Sequence, residues 1–167
     1  PRRRRELDEY IERWLPELRT MEKGLVIDIG PGPCDFLAMC RDIGHSVMGV
    51  DAATGAGGMG EPYLAICNER CRELDIRVER MGAVQWLSRP HQTFYGHVAL
   101  VHLRGSIEQC FASAMEGEPH DAHHDARRLD WRSADALKLL PRLFFTAWDL
   151  LRPGGVLLIH ANGTCST

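Results

Sequence analysis

The sequence predicts an α/β protein in which a parallel sheet is covered by helices. Short apolar runs such as Leu25–Ile29 are typical of strands that are buried on both faces of a parallel sheet. Segments with helical spacing of apolar residues alternate with these runs, and a glycine–proline loop at 30–33 separates the first strand from a helix. With 167 residues, of which 44% are hydrophobic, the chain is expected to form one domain over residues 1–167.

Residues 24–51 predict a nucleotide-binding unit that opens with a strand, a loop and a helix. Gly30 and Gly32 let the loop backbone approach a ligand, because no Cβ atom stands in the way. Pro33 suits the first turn of a helix, which is expected over Asp35–Gly44 with Gly44 as its C-terminal cap. The N-terminus of that helix would face the ligand.

The second strand of this unit ends in an acid. Ser46–Val50 is a short apolar run, and Asp51 follows it at about the place where a carboxylate accepts both hydroxyls of a ribose. The two strands therefore frame a crevice of the size of an adenosine.

The loop lacks the sixth-position glycine of dinucleotide sites. Counted from Gly30, that position is Asp35, whose carboxylate would repel a pyrophosphate, so NAD and FAD are disfavoured. Asp28, two residues before Gly30, instead suits a ligand that carries an ammonium and a sulfonium. We therefore expect S-adenosylmethionine as the cofactor.

The loop Asp28–Gly32 resembles the acidic-x-Gly-x-Gly-x-Gly loop of the class I, Rossmann-like methyltransferases. Residues 97–109 resemble the fourth strand and following turn of that family, and residues 150–161 resemble its helix end, Pro-Gly-Gly turn and fifth strand. The resemblance covers roughly Tyr10 to the last residue. We expect a three-layer αβα, doubly wound, mainly parallel sheet in the order 3-2-1-4-5.

The chain departs from the family pattern at three places. Cys34 stands where the loop has its third glycine. After the third strand, expected over Ile76–Arg80, Gly82 and Ala83 occupy the place of an acid that usually binds the adenine amino group. The sequence ends at Thr167, before the final antiparallel hairpin, so we expect a truncated chain or a reduced fold without that hairpin.

The resemblance implies a cofactor site at the carboxyl ends of the strands. Its expected members are Asp28, Gly30, Pro31, Gly32, Asp51, Ala52, Gly82, Ala83, Leu103 and Arg104. Residues after the fourth strand would border both cofactor and acceptor, which makes Glu108 and Arg104 the catalytic candidates. Methyl transfer needs positioning and removal of an acceptor proton, and Glu108 is a candidate base. An acid one turn into a helix also serves as a cap.

His102 and His160 are further candidate bases, although histidines within or at the end of apolar strands more often fill a core or its rim. The Asn-Pro-Pro-aromatic sequence of enzymes that methylate base amino groups is absent after the fourth strand. We therefore expect methyl transfer to a small-molecule acceptor through oxygen, nitrogen or carbon. The alternative is a degenerate methyltransferase-like fold that binds S-adenosylmethionine or a partner without catalysis, as Cys34 and Gly82 suggest.

Charge and the distribution of apolar residues indicate which partners and which location to expect for the protein. A formal net charge of −3 gives no general attraction to nucleic acid or anionic lipid. Neither a run of roughly 20 apolar residues nor the apolar core of a signal peptide is found, so a soluble, cytoplasmic protein without membrane contact is expected. The basic cluster Arg2–Arg5 favours a solvated helix start over a phosphate-binding arm. An exposed fifth strand would invite oligomerisation.

The six cysteines favour reduced thiols over disulfides, because they fall mostly on predicted helices. Cys67-x-x-x-Cys71 lacks the third cysteine of a radical-type iron–sulfur motif. Residues 115–132 form a His/Asp-rich insertion whose imidazoles and carboxylates suit zinc or another divalent ion. Its members are His120, Asp121, His123, His124 and Asp125. A polar surface insertion beside the acceptor is favoured, and no metal is expected.

The remaining segments complete the alternation. Residues 1–20 are expected to form an N-terminal amphipathic helix, whose apolar positions recur over Glu6–Arg19. A glycine-rich loop at 54–60 is compatible with a lid or with a tolerated insertion, and a helix follows it to about Glu73. A last helix is expected over Ser133–Leu151, in which Pro141 marks either a kink or the true start.

Overall fold

Five parallel strands form one sheet in the described residues of the computed structural model, 2–51, 60–89, 93–104 and 134–160. The strands are β1 (Leu25–Ile29), β2 (Ser46–Asp51), β3 (Val78–Arg80), β4 (Val98–Arg104) and β5 (Leu151–His160). The helices are α1 (Arg2–Trp14), α2 (Asp35–Asp42), α3 (Gly60–Glu73), α4 (Ala83–Leu87) and α5 (Ala134–Leu150). The order β3-β2-β1-β4-β5 confirms the expected doubly wound topology.

Alternate residues of the strands build two cores, one on each face of the sheet. On one face Ile27 and Val101 pack with Trp86 of α4 and Leu150 of α5. On the other face Val26 packs with residues of α1 and α2, among them the fully buried Ile11 and Leu37. Because side chains alternate along a strand, an apolar run buries both of its faces in this arrangement. The three-layer αβα architecture is confirmed.

The N-terminal segment forms two helices instead of the expected single one. The helix α1 ends at Trp14, and a 3₁₀ helix covers Pro16–Arg19. Leu15 between them has φ −141° and ψ 47°, outside the helical region. Pro16 accounts for the break, since a proline disfavours the helical conformation in the residue before it and has no N–H to donate.

The helix α2 begins at Asp35, as expected, and the expected Gly44 lies in the turn that ends it. Gly44 has φ +106°, and the N–H groups of Gly44 and His45 donate to the carbonyls of Arg41 and Cys40. This is the glycine-capped end that the sequence predicted. Pro33, however, lies before the helix, because Cys34 with φ 60° is the N-cap residue. The expectation that Pro33 occupies the first turn is wrong.

Other boundaries differ by little. The strand β3 starts at Val78, two residues later than expected, and the short helix α4 was not expected. Pro141 lies inside α5, which begins at Ala134, so it does not mark the start of that helix. In β5 the register against β4 shifts at the predicted Pro-Gly-Gly turn. The insertion at 115–132, most of the loop at 54–60 and residues 161–167 lie outside the described residues.

The basic cluster Arg2–Arg5 lies in the first turns of α1, and two of its arginines, Arg3 and Arg4, pair with acids of α2. Arg3 Nε lies 2.5 Å from Asp35 Oδ2, at the start of α2, and Arg4 pairs with Asp42 at its end. These arginines are mostly exposed, so each pair contributes little to stability. They join the two ends of α2 to the start of α1.

Cys34 and Cys71 form a disulfide that links the start of α2 to α3, with their Cα atoms 5.7 Å apart. The expectation of reduced thiols is therefore wrong for this pair. Asp35 accepts a bond from Arg70 of α3, which shows that the two helices approach each other here. Helix periodicity in the sequence gave no sign of this contact, because the two cysteines are 37 residues apart. Cys40 and Cys67 are buried and do not take part in this disulfide.

The disulfide yields a prediction on stability. Closing a loop of this length is expected to stabilise the folded chain by roughly 4 kcal/mol, by restricting the unfolded chain. Dithiothreitol should therefore lower the unfolding midpoint of the wild-type chain in urea, and should leave the midpoint of Cys71→Ser unchanged. The measurement is a urea titration followed by circular dichroism. Equal midpoints of the wild type with and without reductant would contradict the disulfide.

Candidate functional site

The carboxyl ends of all five strands meet at one edge of the sheet, where open α/β proteins bind their ligands. Ile29 is in register with Val50 on one side and with Leu103 on the other. Asp51 is in register with Arg80, and Arg104 with His160. The structure thus brings the predicted site residues of the first four strands to this edge, although Ala52 and Glu108 lie outside the described residues.

The loop after β1 is held by backbone conformations that favour glycine. Gly30 has φ +76° and Gly32 has φ +53°. The N–H of Gly30 donates to the carbonyl of Val50 at 2.8 Å, and the N–H of Cys34 donates to that of Pro31 at 3.1 Å. The loop therefore turns back over the end of β2 and brings its backbone to the ligand edge.

Cys34 keeps the backbone conformation that a glycine would have at its position. Its φ of 60° lies in the left-handed region, which costs a residue with a side chain roughly 1–2 kcal/mol. The side chain is fully buried and bonded to Cys71, and both sulfur atoms lie near the carbonyl oxygen of Gly32, at 3.8 and 3.7 Å. Cys34 thus replaces the third glycine of the family loop and keeps the left-handed backbone conformation of the turn.

Gly49 of β2 makes room for the loop, a role that the sequence pattern did not reveal. A Cβ atom at this position would lie 2.9 Å from Cγ of Pro31 and 3.1 Å from Cγ2 of Val78. Pro31 therefore rests directly on the backbone of β2. A glycine within an apolar strand is the one available signal, since it often marks a close approach of another backbone.

Asp28 does not stand open at the edge, because its side chain is buried and hydrogen-bonded. Its Oδ1 lies 2.8 Å from Nδ1 of His102, which is in register with it on β4. The Nε2 of His102 lies 2.9 Å from the hydroxyl oxygen of Tyr10, on α1. A neutral imidazole satisfies both contacts when Nδ1–H donates to Asp28 and Nε2 accepts from Tyr10. His102 is a core histidine.

Beyond β3, Gly82 borders open space. An added Cβ atom would meet no heavy atom within 4 Å. The N–H of Met81 donates to the carbonyl of Asp51 at 3.0 Å, which fixes this turn against the end of β2. Ala83 begins α4 with its side chain buried, and Leu103 likewise packs into the core. These two positions therefore offer only backbone groups to a ligand.

His160 is the half-buried last residue of β5 and lies next to α1. Its ring stacks on that of Tyr10, with centroids 5.8 Å apart, and meets the edge of Trp14 at 5.6 Å. Within the described part of the chain, its ring nitrogens have no hydrogen-bond partner. Of the two histidines considered as bases, His102 is hydrogen-bonded at both ring nitrogens, whereas His160 is not hydrogen-bonded to any of the described residues.

The electrostatic effect of Asp28 reaches Cys40, on α2. Burial, and secondly the negative charge of Asp28, raise the pKa of the Cys40 thiol well above its ordinary value. This thiol is therefore protonated and unreactive at neutral pH. Its side chain belongs to the core that also contains Val26 and Leu37.

Comparisons with known proteins agree with this architecture. A SAM-dependent methyltransferase from Archaeoglobus fulgidus superposes with a TM-score of 0.52 at 17% identity, over 92% of this chain and 51% of that one. The PH0226 protein from Pyrococcus horikoshii OT3 superposes with a TM-score of 0.51 at 19% identity, over 90% of this chain and 55% of that one. The chain shares the open α/β, Rossmann-like fold of these two structures.

The chain spans about half the length of these two structures. No protein-family model matches the sequence, and no curated protein is similar to it. In the described ranges, none of the helices combines the length and apolar character needed to cross a membrane. The same ranges contain no group of three or more metal-ligating side chains, and His120–Asp125 lies outside them.

The contact beneath the loop predicts the effect of a single methyl group. Gly49→Ala should displace Pro31 and lower the free energy of unfolding by about 1–3 kcal/mol, as overpacking does. Gly82→Ala is the matched control, because its new methyl group enters open space and should leave the stability of the ligand-free chain within about 0.5 kcal/mol. Urea unfolding of both variants checks this, and equal stabilities would contradict the contact.

The raised pKa of Cys40 predicts a dependence of stability on pH. Above about pH 8.5 the thiol ionises in the unfolded chain and stays protonated in the folded one. The contribution of the protonated Cys40 thiol to the free energy of unfolding is therefore fully present below that pH. Above it, this contribution decreases by about 1.4 kcal/mol per pH unit. The free energy of unfolding of Cys40→Ala, measured in urea titrations, should decrease less steeply between pH 8 and 10 than that of the wild type. The same slope in both proteins would contradict the burial of this thiol.

Proposed function

We propose that this chain binds S-adenosylmethionine and transfers its methyl group to a small-molecule acceptor. The observation that carries the proposal is the loop 30–34, which turns over Gly49 at the carboxyl edge and presents its backbone beside Asp51. The Archaeoglobus fulgidus structure with the same fold is described as a SAM-dependent methyltransferase. This likeness over half of that protein's length supports the proposed activity.

The described residues fit this cofactor. The close approach of the loop backbone leaves the N-terminal end of α2 facing the edge, and a carboxylate at Asp51 suits the ribose hydroxyls. The open space at Gly82 leaves room for a purine, whose amino group would meet backbone atoms of Gly82 and Ala83 in place of an acid. Asp28 would meet the cationic methionine end with the carboxylate oxygen that His102 does not use.

The chemistry divides between cofactor and protein. The cofactor supplies a methyl group activated by a sulfonium. The chain has to orient the acceptor in line with it, exclude water and remove the acceptor proton. We assign removal of the acceptor proton to Glu108 or to the imidazole of His160, and we assign orientation of the acceptor to Arg104, which is in register with His160.

A second candidate function is binding of S-adenosylmethionine without turnover. The observation in its favour is Gly82, where the acid of the family pattern is replaced by open space. Binding with no methyl transfer to oxygen, nitrogen or carbon acceptors would support this second function over the first.

Separately, we propose that β5, the outer strand of the described sheet, pairs with a second chain.

The proposal predicts a one-to-one complex with S-adenosylhomocysteine, measured by titration calorimetry. Asp51→Ala should weaken the complex at least tenfold, because a charge-assisted contact to the ribose is lost. Asp149→Ala is the matched control: it makes the same change at an exposed residue of α5, at the opposite edge of the sheet, and should bind like the wild type. No heat and no melting shift with either cofactor form would contradict the proposal, and a fluorescence titration with NADH tests the disfavoured dinucleotide.

A further inference from the structure

Three side chains from three elements form one hydrogen-bonded series inside the protein. Tyr10 belongs to α1, His102 to β4 and Asp28 to β1. The hydroxyl of Tyr10 lies 2.9 Å from Nε2 of His102, and Nδ1 of His102 lies 2.8 Å from Oδ1 of Asp28. Their exposed fractions are 7%, 1% and 3%, so water competes little for these contacts.

The directions of the hydrogen bonds follow from the groups involved. An ionised carboxylate only accepts, so Nδ1 of His102 carries the proton that Asp28 receives. The Nε2 atom of this tautomer only accepts, and the hydroxyl of Tyr10 donates to it. Among the described residues, the side-chain hydrogen bond that Asp28 accepts is the one from His102, and it ends on Oδ1. His102 therefore holds one carboxylate oxygen and leaves the other for a ligand.

Aromatic packing holds the imidazole in this orientation. The ring of Phe36, from α2, lies 4.3 Å from the His102 ring between centroids, and Tyr10 meets Phe36 edge-on at 6.4 Å. The helix α1 is anchored independently by the fully buried Ile11. Loss of the Tyr10 hydroxyl alone should therefore leave the fold intact and free His102 to reorient.

We propose that His102 is a positioning residue for cofactor binding, which orients the Asp28 carboxylate and is itself oriented by Tyr10 of α1. The inference rests on the proposed function, in which Asp28 meets the ammonium of S-adenosylmethionine. The N-terminal helix then contributes to cofactor affinity without touching the cofactor. By reciprocity, bound cofactor strengthens the seating of α1 by the same factor.

Tyr10→Phe tests the proposal with the smallest change. It removes one buried hydrogen bond, so the affinity for S-adenosylhomocysteine, measured by calorimetry, should fall about two- to tenfold. Tyr95→Phe is the matched control, because Tyr95 is exposed and lies outside this series, and its affinity should equal that of the wild type. Equal affinities of Tyr10→Phe and the wild type would overturn the inference.

Substitutions of His102 separate positioning from packing. In His102→Asn the amide can still donate to Oδ1 of Asp28, so this variant should bind S-adenosylhomocysteine more tightly than His102→Leu, which fills the apolar space and leaves the carboxylate without a donor. The reverse order would show that His102 only packs. Should His102→Leu fail to fold, the comparison of Tyr10→Phe with the wild type still decides.

Hydrogen exchange supplies a readout that a purely structural role would not change. S-adenosylhomocysteine should slow exchange of the amides of α1 in the wild type and slow it less in Tyr10→Phe. The same protection in both proteins would overturn the coupling between Asp28 and α1. Absence of S-adenosylhomocysteine binding by the wild type would overturn the proposed function together with this inference, whereas wild-type binding with unchanged variants overturns the inference alone.

Discussion

The hydrogen bond between Asp28 and His102 is the constraint around which this molecule is arranged. A carboxylate taken out of water is costly unless donors satisfy it, and Asp28 is buried at the centre of the sheet. The parallel pairing of β1 with β4 places His102 in register with it. Tyr10 then completes the series and links α1 to the sheet through His102. The need to hydrogen-bond the buried Asp28 carboxylate thus connects β4 and α1 to β1, the strand that precedes the loop.

The loop after β1 depends on two other contacts that act from outside it. Below it, the missing side chain of Gly49 lets Pro31 rest on β2. Beside it, the disulfide of Cys34 holds a residue with a side chain in a conformation that glycine adopts more readily. A turn that strains one residue persists only where its surroundings determine it. The loop geometry is therefore a property of β2 and α3 as much as of its own sequence.

Local patterns in the sequence predicted most of the fold. The apolar runs gave β1 and β2 to within a residue, Gly44 gave the end of α2, and strand order followed from the family resemblance. Pro16 was the overlooked local signal, because a proline inside an amphipathic pattern ends the helix before it. Such local patterns could not predict which side chains contact each other. His102 lies 74 residues from Asp28 and 92 from Tyr10, and nothing in the spacing along the chain marks these contacts.

The two acids at the ends of neighbouring strands show why position along a strand does not define a role. Asp28 and Asp51 both suit a cofactor on the sequence pattern alone. In the structure, Asp28 is buried with one oxygen held by His102, whereas Asp51 is the half-buried last residue of β2. An ion that is fixed and desolvated attracts a cationic group strongly, and a more exposed carboxylate is better suited to the exchangeable hydroxyls of a sugar. In the proposed function, the same residue type therefore supplies a carboxylate oriented by His102 at one end of the candidate site and a less buried carboxylate at the other.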